Sequence, residues 1–277
     1  MAAALLALAA SASWGVSDFL GGLKTRSVSV LTVLGVSQPV GLVLLVFVVL
    51  RRWNVPSGGW WALWAVLGGV AGAIGITALY QGLSVGSMGI VAPISSTAPL
   101  IPLTVGLARG ERPSTVQLAG IGVALTGVAF AGWEPSEPGA RGRAAVGAGL
   151  ALIAAAFLGG SQVGLEAASN EDPYWATLVL RLAMSVLILG VVVRSRPPAH
   201  RSVWPTLALI GVLDTLGTVF FAVATTKGLF SVVAVLASLY PVGVAILARV
   251  LLGERLTRVQ RGGALAAVCG AAAISAG

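Results

Sequence analysis

Ten apolar runs of about twenty residues fill almost the whole sequence. They cover residues 2–23, 30–50, 60–83, 88–108, 115–132, 146–168, 174–193, 203–226, 229–251 and 258–276. A helix needs about 20 apolar residues to cross a hydrocarbon layer of roughly 30 Å. Inside that layer every backbone N–H and C=O must be satisfied within the chain, and a continuous apolar run does this as a helix. The expected fold class is therefore an all-α membrane protein of ten transmembrane helices. The first run could pass for a secretory leader, with Ser11-Ala12-Ser13 as a cleavage site. No positive charge precedes Lys24, however, and the apolar stretch continues past that site. We read it as an uncleaved first span.

Connections between runs are short. The longest, WEPSEPGARGR at 133–143, is too rich in proline, glycine and charge to sit in hydrocarbon. It divides the chain into a first five-helix repeat (1–133), a polar linker (134–145) and a second five-helix repeat (146–277). Charge scarcity agrees with this reading. Of 277 residues, 17 are Lys or Arg and 9 are Asp or Glu, where soluble domains carry about 25% charge. Too few polar groups remain to cover a soluble surface. That excludes an ordinary soluble enzyme, a disordered chain and a nucleic-acid partner. The basic residues stand in ones and twos between apolar runs, as loop charge does in membrane proteins. Trp53, Trp60, Trp61, Trp64, Trp133, Trp175 and Trp204 fall near run ends, as in an interfacial aromatic belt, whereas Trp14 falls in mid-run. Cys269 and His200 are single residues of their type. Hence no intrachain disulfide, no metal site of paired Cys or His and no cofactor is expected, and no span supplies a histidine for catalysis.

The halves repeat one another. Ser96-Thr97-Ala98-Pro99 aligns with Ser238-Leu239-Tyr240-Pro241, and Gly110-Glu111-Arg112 with Gly253-Glu254-Arg255. Ser114, Gln117 and Gly120 align with Thr257, Gln260 and Gly263. Ala78 and Gly82 align with Ala224 and Gly228, and Gln38 falls where Arg181 falls. Ordered blocks of this kind indicate a duplication. Five spans per half is odd, so the second copy enters the membrane inverted. Inverted repeats enclose a site near the bilayer midplane and can rock between two open states.

Two five-span repeats, Trp14-Gly15 with Asp18-Phe19 in the first run, and proline followed by Gly-Glu-Arg closing the fourth and ninth runs resemble the EamA-type branch of the drug/metabolite transporter superfamily. The resemblance covers essentially the whole chain. It implies a ten-helix carrier in the plasma membrane for small metabolites such as amino acids, amines or drug-like compounds. Such a carrier is driven by an ion gradient or by exchange. It also implies cytoplasmic termini.

The Gly-Glu-Arg blocks read best as turns. Gly110 and Gly253 suit helix ends that need positive φ. Ser114 with Gln117, and Thr257 with Gln260, form capping-box patterns for the next helix. Glu111 and Glu254 would favour that helix's positive end. Pro99 and Pro241 lie in mid-run, where each denies a helix partner to a carbonyl four residues back, that of Ser95 or Ala237. Such helix kinks are tolerated where they line a cavity. Nearby hydroxyls are dense (Ser95, Ser96, Thr97, Ser238, Tyr240). The alternative is a plain kink whose hydroxyls bond back to the helix.

Well inside spans the charges are Asp18, Arg181 and Asp214, whereas Glu166, Lys227 and Arg249 lie at span ends and can snorkel to water. Each of the first three costs on the order of 2.5–3.5 kcal/mol at a helix centre, so each should face the protein interior. Arg181 and Asp214 lie in consecutive spans and suit a pair. Asp18 has no basic neighbour in its own span, and Trp14 lies one turn away on the same face. A buried unpaired carboxyl suits a group that exchanges a proton for a polar or cationic substrate, with Trp14 as a cation–π face. Coupling is accordingly expected at Asp18, Asp214 and Arg181. The substrate is expected to meet Trp14, Asp18, Tyr80, Gln81, Ser95, Ser96, Thr97, Gln162, Ser238 and Tyr240. The expected function is secondary transport of a small molecule, with the lipid bilayer and a proton or other coupling ion as partners. A passive channel or facilitator is the alternative. Loop charge conflicts with the resemblance over orientation. With cytoplasmic termini, five basic residues (Arg51, Arg52, Arg109, Arg112, Lys227) lie inside. Eleven lie outside: Lys24, Arg26, Arg141, Arg143, Arg194, Arg196, Arg201, Arg249, Arg255, Arg258 and Arg261. The positive-inside rule prefers the reverse.

Overall fold

A computed structural model describes the chain except residues 53, 54, 58, 86–90, 92, 93, 133–140, 199, 200 and 254–256, and except the side chains of 141–144 and 201. Trp53, Trp133, His200, Glu254, Arg255 and most of the 134–145 linker therefore lie outside the described residues. The described chain is helical and contains no strand. Its helices are α1 (Ala2–Thr25), α2 (Val30–Arg52), α3 (Trp60–Val85), α4 (Leu100–Ala108), α5 (Thr115–Ala131) and α6 (Arg141–Ser169). They continue as α7 (Pro173–Ser195), a 3-10 turn (Arg201–Val203), α8 (Trp204–Thr225), α9 (Phe230–Ala237), α10 (Tyr240–Leu252) and α11 (Arg258–Ala276).

Eight helical segments are long and apolar enough to cross a membrane, with α9 and α10 counted as one, Phe230–Leu252. Thr115–Ala131 is a shorter apolar helix. The run expected at 88–108 is not one continuous helix among the described residues. Residues 96–99 form turns, with Ala98 N donating to Ser95 O (3.1 Å) and Leu100 N to Thr97 O (2.9 Å). The ninth run breaks likewise at Ser238-Leu239. The expectation of kinks at Pro99 and Pro241 is thus corrected. Each proline stands at the start of a new helix, as the N-cap of α4 or within the first turn of α10. A missing N–H costs nothing in the first turn, where the N–H has no intrahelical partner in any case. The Ser95 carbonyl, expected to be freed, is taken by Ala98.

Packing follows the duplication. Helix α3 lies against α6, and their counterparts α1 and α8 lie against each other. The pairs α3–α7 and α2–α8 correspond in the same way, while α2–α7 and α5–α11 each join a helix to its own counterpart. The last pair depends on glycine. A Cβ on Gly127 would overlap the backbone nitrogen of Ala267, and one on its counterpart Gly270 that of Ala124. Small residues let the two backbones touch where hydrocarbon offers no hydrophobic drive between helices.

Cross-contacts gather the helix ends into two faces. The terminal face carries both chain ends, since Gly277 lies by Ser114 and Ala3 by Gly228. The opposite face holds Thr32, whose hydroxyl donates to Pro198 O (3.3 Å). Trp60, Trp64 and Trp204 point outward, at 78%, 43% and 46% exposure, as interfacial anchors do.

The described residues of both Gly-Glu-Arg blocks behave locally as the pattern requires. Gly110 and Gly253 have φ of 90° and 69°. Ser114 with Gln117, and Thr257 with Gln260, form complete capping boxes. Glu111 departs from expectation. Its carboxylate reaches across the halves and accepts from Phe230 N (2.6 Å) and Ser231 N (2.9 Å) at the start of α9. The N-terminus of α5 is already served by Ser114 and Gln117, which leaves the acid for an uncapped helix end nearby.

Candidate functional site

Two cavities lie between the halves, and Asp18 and Tyr240 line both. The outer cavity, of about 170 Å³, runs along the ends of helices at the face opposite the termini, past Arg26, Leu83, Gly132, Leu252 and Gln260. The inner cavity, of about 110 Å³, lies at mid-depth among α1, α3, α6, α7, α8 and the two helix breaks. Helix α7 joins this lining through Leu180, Arg181 and Met184.

Asp18 reaches the junction because α1 closely approaches the break before α10. A Cβ on Gly15 would stand 3.1 Å from the carbonyl oxygen of Tyr240. The Tyr80 hydroxyl donates to Asp18 Oδ1 at 3.4 Å. Asp18 makes no ion pair among the described residues.

Arg181 and Asp214 form the expected pair, at 2.6 Å, and belong to a larger network. Arg181 is 1% exposed. The Nη1 that meets Asp214 also donates to Gln38 Oε1 (2.6 Å), and Nη2 donates to Thr218 Oγ1 (3.2 Å). Gln38 Nε2 donates to Asp214 Oδ2 (3.4 Å), and the Thr218 hydroxyl donates to Asp214 O (2.8 Å). Gln38 and Arg181 occupy corresponding positions of the two repeats, so the duplication brings them face to face. Sequence reading recognised that correspondence but not the contact, and it missed Thr218. A Thr one turn beyond a mid-span Asp was the available signal.

Other sequence-selected residues divide. Trp14, Ser96, Gln162 and Ser238 line the inner cavity, and Tyr80 and Ser95 the outer one. Trp14 Nε1 donates to the backbone oxygen of Asp214 (3.3 Å), and its ring lies 5.7 Å from that of Phe221. The Ser238 hydroxyl bonds back to Val235 O (2.7 Å). Gln81 is exposed and lines neither cavity, because it follows Tyr80 on the outward side of α3. Thr97 is also exposed and bonds back to Ile94 O (2.7 Å). No cluster of metal-ligating side chains occurs among the described residues.

On the terminal face the halves are tied together. Arg109 pairs with Glu166 at 2.6 Å. Arg52 pairs with Asp172 at 3.5 Å and lies 4.2 Å over the Tyr174 ring. The Glu111 cap on α9 is a third tie.

The sequence matches the EamA-like transporter family over residues 1–133 and 145–276. A crystal structure of another protein, 17% identical, is similar in fold with a TM-score of 0.80. That alignment covers 99% of this chain and 96% of the other. No curated protein matches the sequence.

Proposed function

Because the chain belongs to the EamA-like transporter family and is a multi-pass membrane protein, we propose that it is a secondary transporter that carries a small metabolite across the plasma membrane by alternating access. The reading takes ten spans as two inverted five-span repeats, 1–133 and 146–277, joined by the linker 134–145. The substrate class is an amino acid, amine or drug-like compound. Transport is coupled to a proton or another ion, or runs by exchange. Trp14, Asp18, Ser96, Gln162, Ser238 and Tyr240 meet the substrate, with Tyr80 and Ser95 on its route to the outer cavity.

The observation that carries this is the position of Asp18 and Tyr240 in the wall between the two cavities. A solute passing from one cavity to the other meets a carboxylate without a cationic partner. At the same time the terminal face is held shut by three ties across the halves. Rocking one repeat against the other would break those ties and present the inner cavity to that face.

Purified protein in proteoliposomes tests the reading. Saturable uptake with counterflow is expected, and Asp18→Asn should abolish its pH dependence. Full pH-dependent transport by Asp18→Asn would remove Asp18 from coupling. Single-channel steps would remove the carrier.

A further inference from the structure

The duplication lets the closed terminal face be compared with the opposite one, on the premise that the two repeats rock about the site between them. Gly15 of α1 lies against the carbonyl oxygen of Tyr240, and Gly159 of α6 lies against that of Ala98. Tyr240 and Ala98 are aligned in the repeat, so Gly15 and Gly159 correspond. Seven residues on from them stand Gly22 and Glu166, each three residues before the end of its helix. Arg109 precedes Gly110 as Leu252 precedes Gly253, so Arg109 corresponds to Leu252. The Arg109–Glu166 pair on the terminal face therefore has Leu252 and Gly22 as its image on the other face.

The two images are in different states. Arg109 and Glu166 meet at 2.6 Å. Gly22 and Leu252 both line the outer cavity, and a Cβ on Gly22 would meet nothing within 4 Å. Closure of the terminal face thus makes an ion pair, whereas closure over the outer cavity would bring a glycine to a leucine. Glu111 does not separate the faces in this way, because it aligns with another acid, Glu254. Identical repeats would give two open states of equal energy. An ion pair made in only one of those states removes the equality.

We propose that Arg109–Glu166 is a one-sided lock that holds the empty carrier open to the face opposite the termini. A partly exposed pair shifts such an equilibrium by about two- to fivefold. The apparent dissociation constant is the intrinsic one divided by the competent fraction, so solute fills the site from the opposite face at lower concentration than from the terminal face. Arg109 is 46% exposed, so salt should screen the lock.

Terminal opening can be read in sealed membrane vesicles of either sidedness. The readout is the rate at which an impermeant thiol reagent, applied to the terminal face, labels Ser238→Cys in a Cys269→Ser background. Arg109→Leu, which installs the residue of the other repeat, and Glu166→Gln should each raise that rate about two- to fivefold. Exchanging the charges, Arg109→Glu with Glu166→Arg, should restore the original rate, which general loosening of the fold would not allow. High salt should raise the parent rate more than that of Arg109→Leu. Gly22→Glu with Leu252→Arg builds the same pair over the outer cavity, so it should speed terminal labelling and slow labelling from the opposite face. A raised rate that the charge exchange does not restore overturns the lock. Terminal labelling at one rate in every variant removes the lock and keeps alternating access. No terminal labelling in any variant removes both. Rates that shift as expected in vesicles without counterflow would sink transport and leave the lock standing.

Discussion

Removing Arg181 should strand Asp214, and the cost can be worked from the network. Arg181→Met deletes the 2.6 Å contact to Asp214 Oδ2, the 2.6 Å bond to Gln38 Oε1 and the 3.2 Å bond to Thr218. Breaking a buried ion pair by removing one partner costs about 3–5 kcal/mol. The Asp214 side chain is 25% exposed and keeps Gln38 Nε2 at 3.4 Å, which favours the lower end, about 3 kcal/mol. Thr218 loses little, because its hydroxyl still donates to Asp214 O. Gln38 Oε1 becomes an orphan acceptor, adding about 1 kcal/mol. A loss of about 4 kcal/mol follows for the single variant. Adding Asp214→Asn removes the stranded charge and should bring the loss down to about 1–2 kcal/mol, a recovery of about 2–3 kcal/mol relative to Arg181→Met alone. In thermal unfolding of detergent-purified protein, this corresponds to a drop of about 10 °C for Arg181→Met and about 4 °C for the double variant. If the double variant loses as much as Arg181→Met alone or more, the pair does not hold these helices together and the argument fails.

Three other expectations are open to measurement. Ser114→Ala and Thr257→Ala should each lower stability by about 1 kcal/mol, without changing substrate affinity, because each removes one half of a capping box. An affinity change at constant stability would contradict this. Glu111→Ala removes a carboxylate from the start of α9, a contact worth up to about 2 kcal/mol, so it should open the terminal face several-fold more often. The readout is thiol labelling of Ser238→Cys from that face in a Cys269→Ser background, and unchanged labelling would leave Glu111 as a purely local cap. Loop charge, eleven basic residues against five, predicts that the face opposite the termini is cytoplasmic. In intact cells an impermeant thiol reagent should then label Ser57→Cys and spare Ser195→Cys, and the opposite pattern would uphold cytoplasmic termini.

Several features were legible in the sequence because their causes are local. Apolar run length sets the spans, and proline, glycine and Ser/Thr–Gln spacing set helix starts and stops. Gly110, Gly253 and both capping boxes needed nothing beyond their own neighbours. The pairing of Arg181 with Asp214 was legible for a different reason. Two lone opposite charges in adjacent spans have few other ways to be neutralised. Pro99 and Pro241 were located correctly, but their effect was not. A proline ends one helix and begins another when the preceding turn finds other partners, and those partners depend on packing.

What the sequence decided by itself, then, was the membrane environment, the helical class, the duplication and the short list of interior charges, since each follows from composition or spacing along the chain. The tertiary structure decided which of those residues meet. It carried Glu111 past its own helix to cap α9, set Gln38 against Arg181, turned Gln81 and Thr97 outward and placed Asp18 in the wall between two cavities. These depend on helix rotation and on the close approaches allowed by Gly15 and Gly127, which are set by the packing of distant segments and leave no trace in any local pattern.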